Sequence, residues 1–174
     1  MGRDKAFLEI DGQPLWQRQL RTLHELRPCE VFIAGPMRNE WRDCNVIADA
    51  TPDAGPLGGI VPALRQSSQP LVLVLAVDLP RMTVGYLRGL LALCSEFSGI
   101  IPQDDTRFQP LAAIYPTAAG ALAQRCLGLG DSMQRFASLC VEAGLMNEQR
   151  ITAHERSLFL NMNTPEDLLT VTNA

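Results

Sequence analysis

The chain has 174 residues, 47% of them apolar and 20% charged, and a formal net charge of -4. That length suits one domain, spanning 1–174, with a sizeable core, and the composition is that of a globular chain, not a disordered one. The negative balance gives no general attraction to nucleic acid or anionic lipid, and the sequence offers neither an apolar run of membrane-spanning length nor a basic-then-apolar leader.

The predicted elements alternate in type. Met1-Gly2-Arg3-Asp4-Lys5 leads into the alternating run Ala6 to Ile10, and Asp11-Gly12 is a turn signal. Pro14 suits the first turn of a helix whose apolar residues Leu15, Trp16, Leu20, Leu23 and Leu26 recur at spacings of three and four. In this reading Gln17, Arg18, Gln19 and Arg21 make its polar side, and Pro28 ends it. Val31 to Ala34 and Val46 to Ala48 are short strands, the second closed by Asp49.

The glycine-rich stretch Asp53 to Ile60, DAGPLGGI, feeds a helix expected over about 60–66, with Pro62 in its first turn. Such a loop either brings bare backbone amides to an anion or is a plain tight turn. Leu71 to Pro80, LVLVLAVDLP, is an unbroken apolar run ending in a carboxylate. It reads as a strand covered on both faces, as central parallel strands are. Thr83 is placed to cap a helix reaching about Cys94, 99–102 is a strand, and 109–115 carries another in its second half. Helices are expected over 118–127 and 132–143, and a short edge strand over 150–152. Leu158 to Leu160 delivers Asn161-Met162-Asn163, after which Thr164-Pro165-Glu166-Asp167 opens a last helix. Strands and helices in alternation argue for one doubly wound α/β sheet.

Lys5, Asp49, the Gly55 to Gly59 loop, Asp78 and the Asn161/Asn163 pair all point toward the carboxyl ends of strands. Ligands of open parallel sheets bind there, and a carboxylate at that place is a hard ligand suited to Mg2+ beside substrate phosphates. The alternative for Asp78 is a helix cap, and Thr83 five residues on competes for that role. One cation, two carboxylates, a bare loop and two amides make a poor set for acyl transfer, since there is no serine elbow and no Cys/His pair. They make a good set for phosphoryl or nucleotidyl transfer. The five cysteines, Cys29, Cys44, Cys94, Cys126 and Cys140, form no CxxC pair and are expected to be buried free thiols in a reducing cytoplasm. His24 and His154 have no metal-ligand neighbours and are read as surface or helix-end residues.

Five segments together resemble one family. MGRDKAFLEIDGQPL, DAGPLGGI, VLAVDLP, QPLAAIY and NMNTPEDL are similar, in order, to the motifs of nucleotidyltransferases related to molybdenum cofactor guanylyltransferase. The resemblance implies a three-layer α/β/α sandwich of Rossmann-like type with a mostly parallel sheet. It implies transfer of GMP from GTP to molybdopterin with release of pyrophosphate and with Mg2+ as cofactor. Lys5 would contact the triphosphate, Asp49 and Gly55 the guanosine, and Asp78 the metal between the phosphates, while Asn161 and Asn163 would place the pterin. Molybdoenzymes or their chaperones are the further partners it suggests. The family's motif has the form LAGGxSxRMGxDK and follows a hydrophobic strand, of which this sequence contains only the part from Met1. A chain truncated before Met1 is therefore an expectation, with weak GTP binding as its consequence. Other readings are a transferase using CTP or another acceptor, and a non-catalytic binding module.

Overall fold

The computed structural model describes residues 5–51, 54–105 and 107–162. It opens with a 3-10 turn at Lys5–Phe7, where an extended run was expected, followed by a hairpin of β1 (Glu9–Ile10) and β2 (Gln13–Pro14). Asp11 and Gly12 make its two-residue turn with φ of 53° and 71°. Both central residues of a type I′ turn need positive φ, which Asp-Gly supplies at low cost. The turn sends the chain directly into α1 (Leu15–His24).

Next come β3 (Ile33–Ala34), a 3-10 turn at Asn39–Trp41, β4 (Val46–Ile47), α2 (Pro56–Gln66), β5 (Leu71–Leu75), α3 (Val84–Leu93), β6 (Gly99–Asp104) and β7 (Arg107–Phe108). The chain continues through β8 (Ala112–Pro116), a 3-10 turn at Thr117–Ala119, α4 (Gly120–Leu129), α5 (Met133–Glu142), β9 (Met146–Arg150) and a 3-10 turn at Arg156–Phe159. The last predicted helix lies outside the described residues. Thr83 and Ser132 cap α3 and α5 by accepting from the amides of Tyr86 and Arg135. Two boundaries differ from expectation. Helix α2 starts at Pro56 instead of near residue 60, because Pro56 takes the first-turn role assigned to Pro62. Strand β9 lies earlier than the expected edge strand, because parallel pairing with β6 fixes its register from Gly99↔Met146 to Gln103↔Arg150.

The architecture is the expected three-layer α/β/α sandwich. Strands β5, β8, β6 and β9 lie side by side in that order, and β7 pairs antiparallel with the end of β6 at Gln103 and Asp104. Strand β8 runs antiparallel to both β5 and β6, and β9 runs parallel to β6, so β5, β6 and β9 share one direction and β8 is reversed. Alternating residues send side chains to opposite faces. Ile101, Ala113 and Tyr115 pack with α2, α4 and α5 through Leu64, Ala123 and Phe136. Ile100 and Ile114 pack with Leu90 of α3 on the other face.

The sheet is in two pieces. Strands β3 and β4 pair in parallel with each other, and among the described residues neither joins β5. Strand β5 was expected to be central and fully covered. Instead, among the described residues, it pairs with β8 alone, and all five of its residues are half-buried. The apolar run suits coverage on both faces, but the sequence does not show which strand stands on the second edge.

All five cysteines are free, yet only Cys126 and Cys140 are buried, while Cys29 is exposed. The expectation of buried thiols therefore fails for three positions, which lie in loops or at a helix end. Burial pushes the Cys140 thiol up to about 12, and neighbouring Cys126 adds to the shift. The folded chain keeps this thiol neutral where the unfolded chain, with an ordinary thiol value near 9, loses its proton. Its contribution to stability is complete below that ordinary value and is lost as pH rises toward the folded value. We expect the urea midpoint to fall across that alkaline window, with a shallower fall in Cys140→Ala measured against the parent.

Candidate active site

The chain leaves β5 through Ala76-Val77-Asp78-Leu79, a segment held from three directions. The Ala76 amide donates to the Leu111 carbonyl at 2.7 Å. Gln19 Nε2 donates to the carbonyls of Ala76 at 3.1 Å and Leu79 at 2.7 Å. The Met162 amide donates to the Asp78 carbonyl at 2.9 Å. With its backbone fixed, Asp78 keeps its side chain 22% exposed and 3.4 Å from Lys5 Nζ. The helix that follows is capped by Thr83, so Asp78 does not serve as that cap.

Gln19 is the site residue that the sequence reading missed. It was placed on the polar side of α1, but it is 6% exposed and lies four residues from fully buried Leu15, on the same face. The signal was an amide at the i+4 position from a buried leucine. Leu20 and Leu23, read as the inner stripe, are only half-buried. Replacing Gln19 by leucine leaves two carbonyls beside Asp78 without their donor. We expect a stability loss of about 1–3 kcal/mol in urea denaturation. Hydrogen exchange should also be faster at Val77 to Leu79, with little change in α4 or α5.

Asp49 is exposed just beyond β4, and the next residue ties it to α2. A proline inside a helix cannot donate to the carbonyl four residues back. For Pro62 that acceptor is Gly58, whose carbonyl receives the Ala50 amide instead, at 2.8 Å. Gly55 has φ 64° and ψ -159°, a conformation essentially restricted to glycine, which lets the chain turn into Pro56. Helix α2 lies so close to β3 that a Cβ on Gly59 would stand 2.7 Å from the Ala34 Cβ and 3.3 Å from Asp49 Oδ1. Asp49 and Gly55 line the same cavity as Ala76 and Val77. Asn161 is exposed beside Met162, which is bound to Asp78, and Asn163 lies outside the described residues.

The structure thus brings Lys5, Asp78 and the residue next to Asn161 together, with Asp49 and Gly55 along the adjoining cavity. Next to the site, Arg38 stands 5.3 Å from the Phe7 ring centroid and 5.4 Å from that of Trp41. The carboxylate at a strand end, the lysine beside it and the glycine loop that opens a helix lie on one mixed α/β fold, and the family match shows the chain to be a nucleotidyltransferase. The chain belongs to the MobA-like NTP transferase family, whose domain it matches over residues 1–142.

Two relatives place it within that family. It is 36% identical over 173 residues to a probable molybdenum cofactor guanylyltransferase of Opitutus terrae, covering 96% of this chain and 86% of the relative. It is 32% identical over 174 residues to the molybdenum cofactor guanylyltransferase of Xanthomonas euvesicatoria, covering 95% and 84%. Among solved structures, the molybdopterin-guanine dinucleotide biosynthesis protein A of Archaeoglobus fulgidus shares the fold with a TM-score of 0.71 at 23% identity, over 97% of this chain and 89% of that one. A 2-C-methyl-D-erythritol 4-phosphate cytidylyltransferase of Thermus thermophilus shares it with a TM-score of 0.71 at 19% identity, over 95% and 91%.

Proposed function

We propose that this chain transfers GMP from GTP to the terminal phosphate of molybdopterin, releasing pyrophosphate. The observation that carries the reading is the Lys5–Asp78 pair at 3.4 Å, pinned through Met162 to the asparagine loop. The names of the relatives supply the base and the acceptor. A pterin phosphate oxygen attacks the α-phosphorus of GTP, the new P–O bond forms, and the bond to the β-phosphate oxygen breaks. The phosphate nucleophile is largely ionised near neutral pH, so the site needs no general base.

Lys5 changes partner in this reading, from the Asp78 carboxylate to the triphosphate, where it offsets charge on the leaving pyrophosphate. Asp49 and Gly55 contact the guanosine, and Asn161 with Asn163 positions the pterin. Among the described residues no three His, Cys, Asp or Glu side chains cluster. A lone carboxylate beside a phosphate site fits Mg2+, which takes one or two protein oxygens and completes its shell with phosphate and water. Asp78 would hold that ion, which supplies charge neutralisation across the phosphates. Among the described residues no helix is long and apolar enough to cross a membrane. Work in the reducing cytoplasm and delivery of the product to molybdoenzymes or their chaperones complete the proposal.

The test is pyrophosphate release and dinucleotide formation from GTP, Mg2+ and molybdopterin, with CTP as competitor. Competition by CTP equal to that by unlabelled GTP would remove the guanylyl assignment. A lack of any nucleotide binding would favour a non-catalytic module.

A further inference from the structure

Between Ile151 and Met162 the chain crosses the end of the sheet at which the candidate active site lies. The Ile151 amide donates to the Gln103 carbonyl at 2.9 Å, continuing the ladder of β9 on β6, and the Met162 amide donates to the Asp78 carbonyl. Strands β6 and β5 share one direction, so this strap links their carboxyl ends. Within it, Glu155 accepts from the Thr152 amide at 2.8 Å and the Thr152 hydroxyl at 2.7 Å, closing a turn on itself. Leu158 and Phe159 rest on the apolar group around Leu79 and Met82, and Phe159 meets Tyr86 edge-on at 5.4 Å. Apolar contacts of this kind hold the strap down, but they are non-directional.

The directional tie is Arg156. Its Nη2 stands 3.4 and 3.3 Å from the two carboxylate oxygens of Asp105 and 3.2 Å from Asp104 Oδ1. Among the described residues no other hydrogen bond joins 152–161 to another element. Carboxylates on successive residues repel, and one cation between them offsets both. The three side chains are 53%, 37% and 63% exposed, so the cluster adds little to global stability and its effect lies in placement. The hairpin that offers these carboxylates is itself fixed. Gln134 accepts from the Phe108 amide at 3.1 Å and donates to the Phe108 carbonyl at 2.8 Å, as a neighbouring strand would. Gln134 lies in the first turn of α5, two residues before the core residue Phe136. A line of contacts therefore runs from the core through β7 and Arg156 to the strap.

We infer that Arg156, gripped by Asp104 and Asp105, is a positioning residue for the acceptor: it sets the place at which the strap presents Asn161 beside Asp78. This rests on the guanylyl-transfer reading, in which Asn161 helps to place the pterin. Arg156 itself touches no substrate in this role. Without it the strap keeps its apolar footing and its bond at Met162, but the stretch between them gains freedom. The acceptor must then order Asn161 as it binds, and a site that is not preorganised binds more weakly. In the same reading GTP is held by Lys5, Asp49, Gly55 and Asp78, all of which stand outside the strap.

The test measures KM for each substrate separately. We expect Arg156→Ala to raise the KM for the pterin acceptor about five- to tenfold, with the KM for GTP changed less than about twofold. Arg156→Lys, which keeps the charge without the rigid fork, should recover part of the loss. The double variant Asp104→Asn, Asp105→Asn should reproduce the rise, and adding Arg156→Ala to it should raise the KM no further. Arg135→Ala removes the Arg135–Glu142 pair, whose arginine is also 53% exposed, and serves as the control that leaves both KM values alone. Amide exchange over 157–162 should quicken in Arg156→Ala, a readout independent of turnover. An unchanged acceptor KM, an equal rise in the KM for GTP, or unchanged exchange in the strap would overturn the inference. So would a lower acceptor KM in the Asp104, Asp105 double variant, because a released Arg156 would then be binding the acceptor itself. A parent chain that releases no pyrophosphate at all would instead overturn the guanylyl-transfer reading, a failure distinct from these.

Discussion

Asp78→Asn is expected to lower guanylyl transfer by about two to three orders of magnitude, the usual cost of removing one group that stabilises transition-state charge. The asparagine keeps the shape of the side chain and leaves the segment's backbone bonds to Gln19, Leu111 and Met162 in place. It removes the charge that faces Lys5 and would hold the metal. The Lys5–Asp78 pair has side chains 44% and 22% exposed, and pairs open to solvent contribute little to stability. Activity and stability should therefore separate: a large fall in pyrophosphate release, with a Tm shifted by only a degree or two. Retention of more than a tenth of the parent rate would remove Asp78 from the metal role.

Phe136→Ala is expected to have the opposite profile, costing about 3–5 kcal/mol of stability. Phe136 is fully buried and stacks on Tyr115 with centroids 5.4 Å apart and ring planes 17° from parallel. Tyr115, also fully buried, donates its hydroxyl to the Pro110 carbonyl at 2.8 Å. Truncation opens a void under β8, the strand that joins β5 to β6. For a chain of this size the loss corresponds to a Tm lower by roughly 6–20 °C. Leu129→Ala, at a side chain 72% exposed, serves as the control and should stay within about 0.5 kcal/mol. A fall of less than 1 kcal/mol for Phe136→Ala in urea denaturation would contradict the packing described.

Local chemistry made much of this fold legible in the sequence. The hydroxyls of Thr83 and Ser132 sit three residues before the amides they cap, and Asp11-Gly12 forms the turn that its φ requirements allow. Asp78 stands at a strand end because an apolar run stops there. Long-range pairing was not legible. That β8 lies beside β5 with Leu73 facing Ile114 depends on contacts some forty residues apart, which no local pattern specifies. Helix α1 misled for a related reason: it has two apolar faces, one against the core at Leu15 and one toward the cavity at Leu20. Periodicity counted the second as the inner stripe and turned Gln19 outward. Of the candidate site, Lys5, Asp49, Gly55, Asp78 and Asn161 were named from residue type and position. The clamp on the backbone of Asp78 is a three-dimensional fact.

The division between β3–β4 and the larger sheet bears on how the molecule comes apart. No ladder of hydrogen bonds crosses the cavity among the described residues. The smaller pair is coupled to the rest through α2, by the Ala50 amide on Gly58 and the close approach of Gly59 to Ala34, and through the contacts of Trp41 with Trp16 and Phe7 and of Arg38 with Phe7. Units not joined by a hydrogen-bonded ladder open at different free energies. Denaturation should begin at β3 and β4, taking Asp49 with them, while the region around Phe136 stays protected. Catalytic competence would then be lost at milder denaturant than bulk structure.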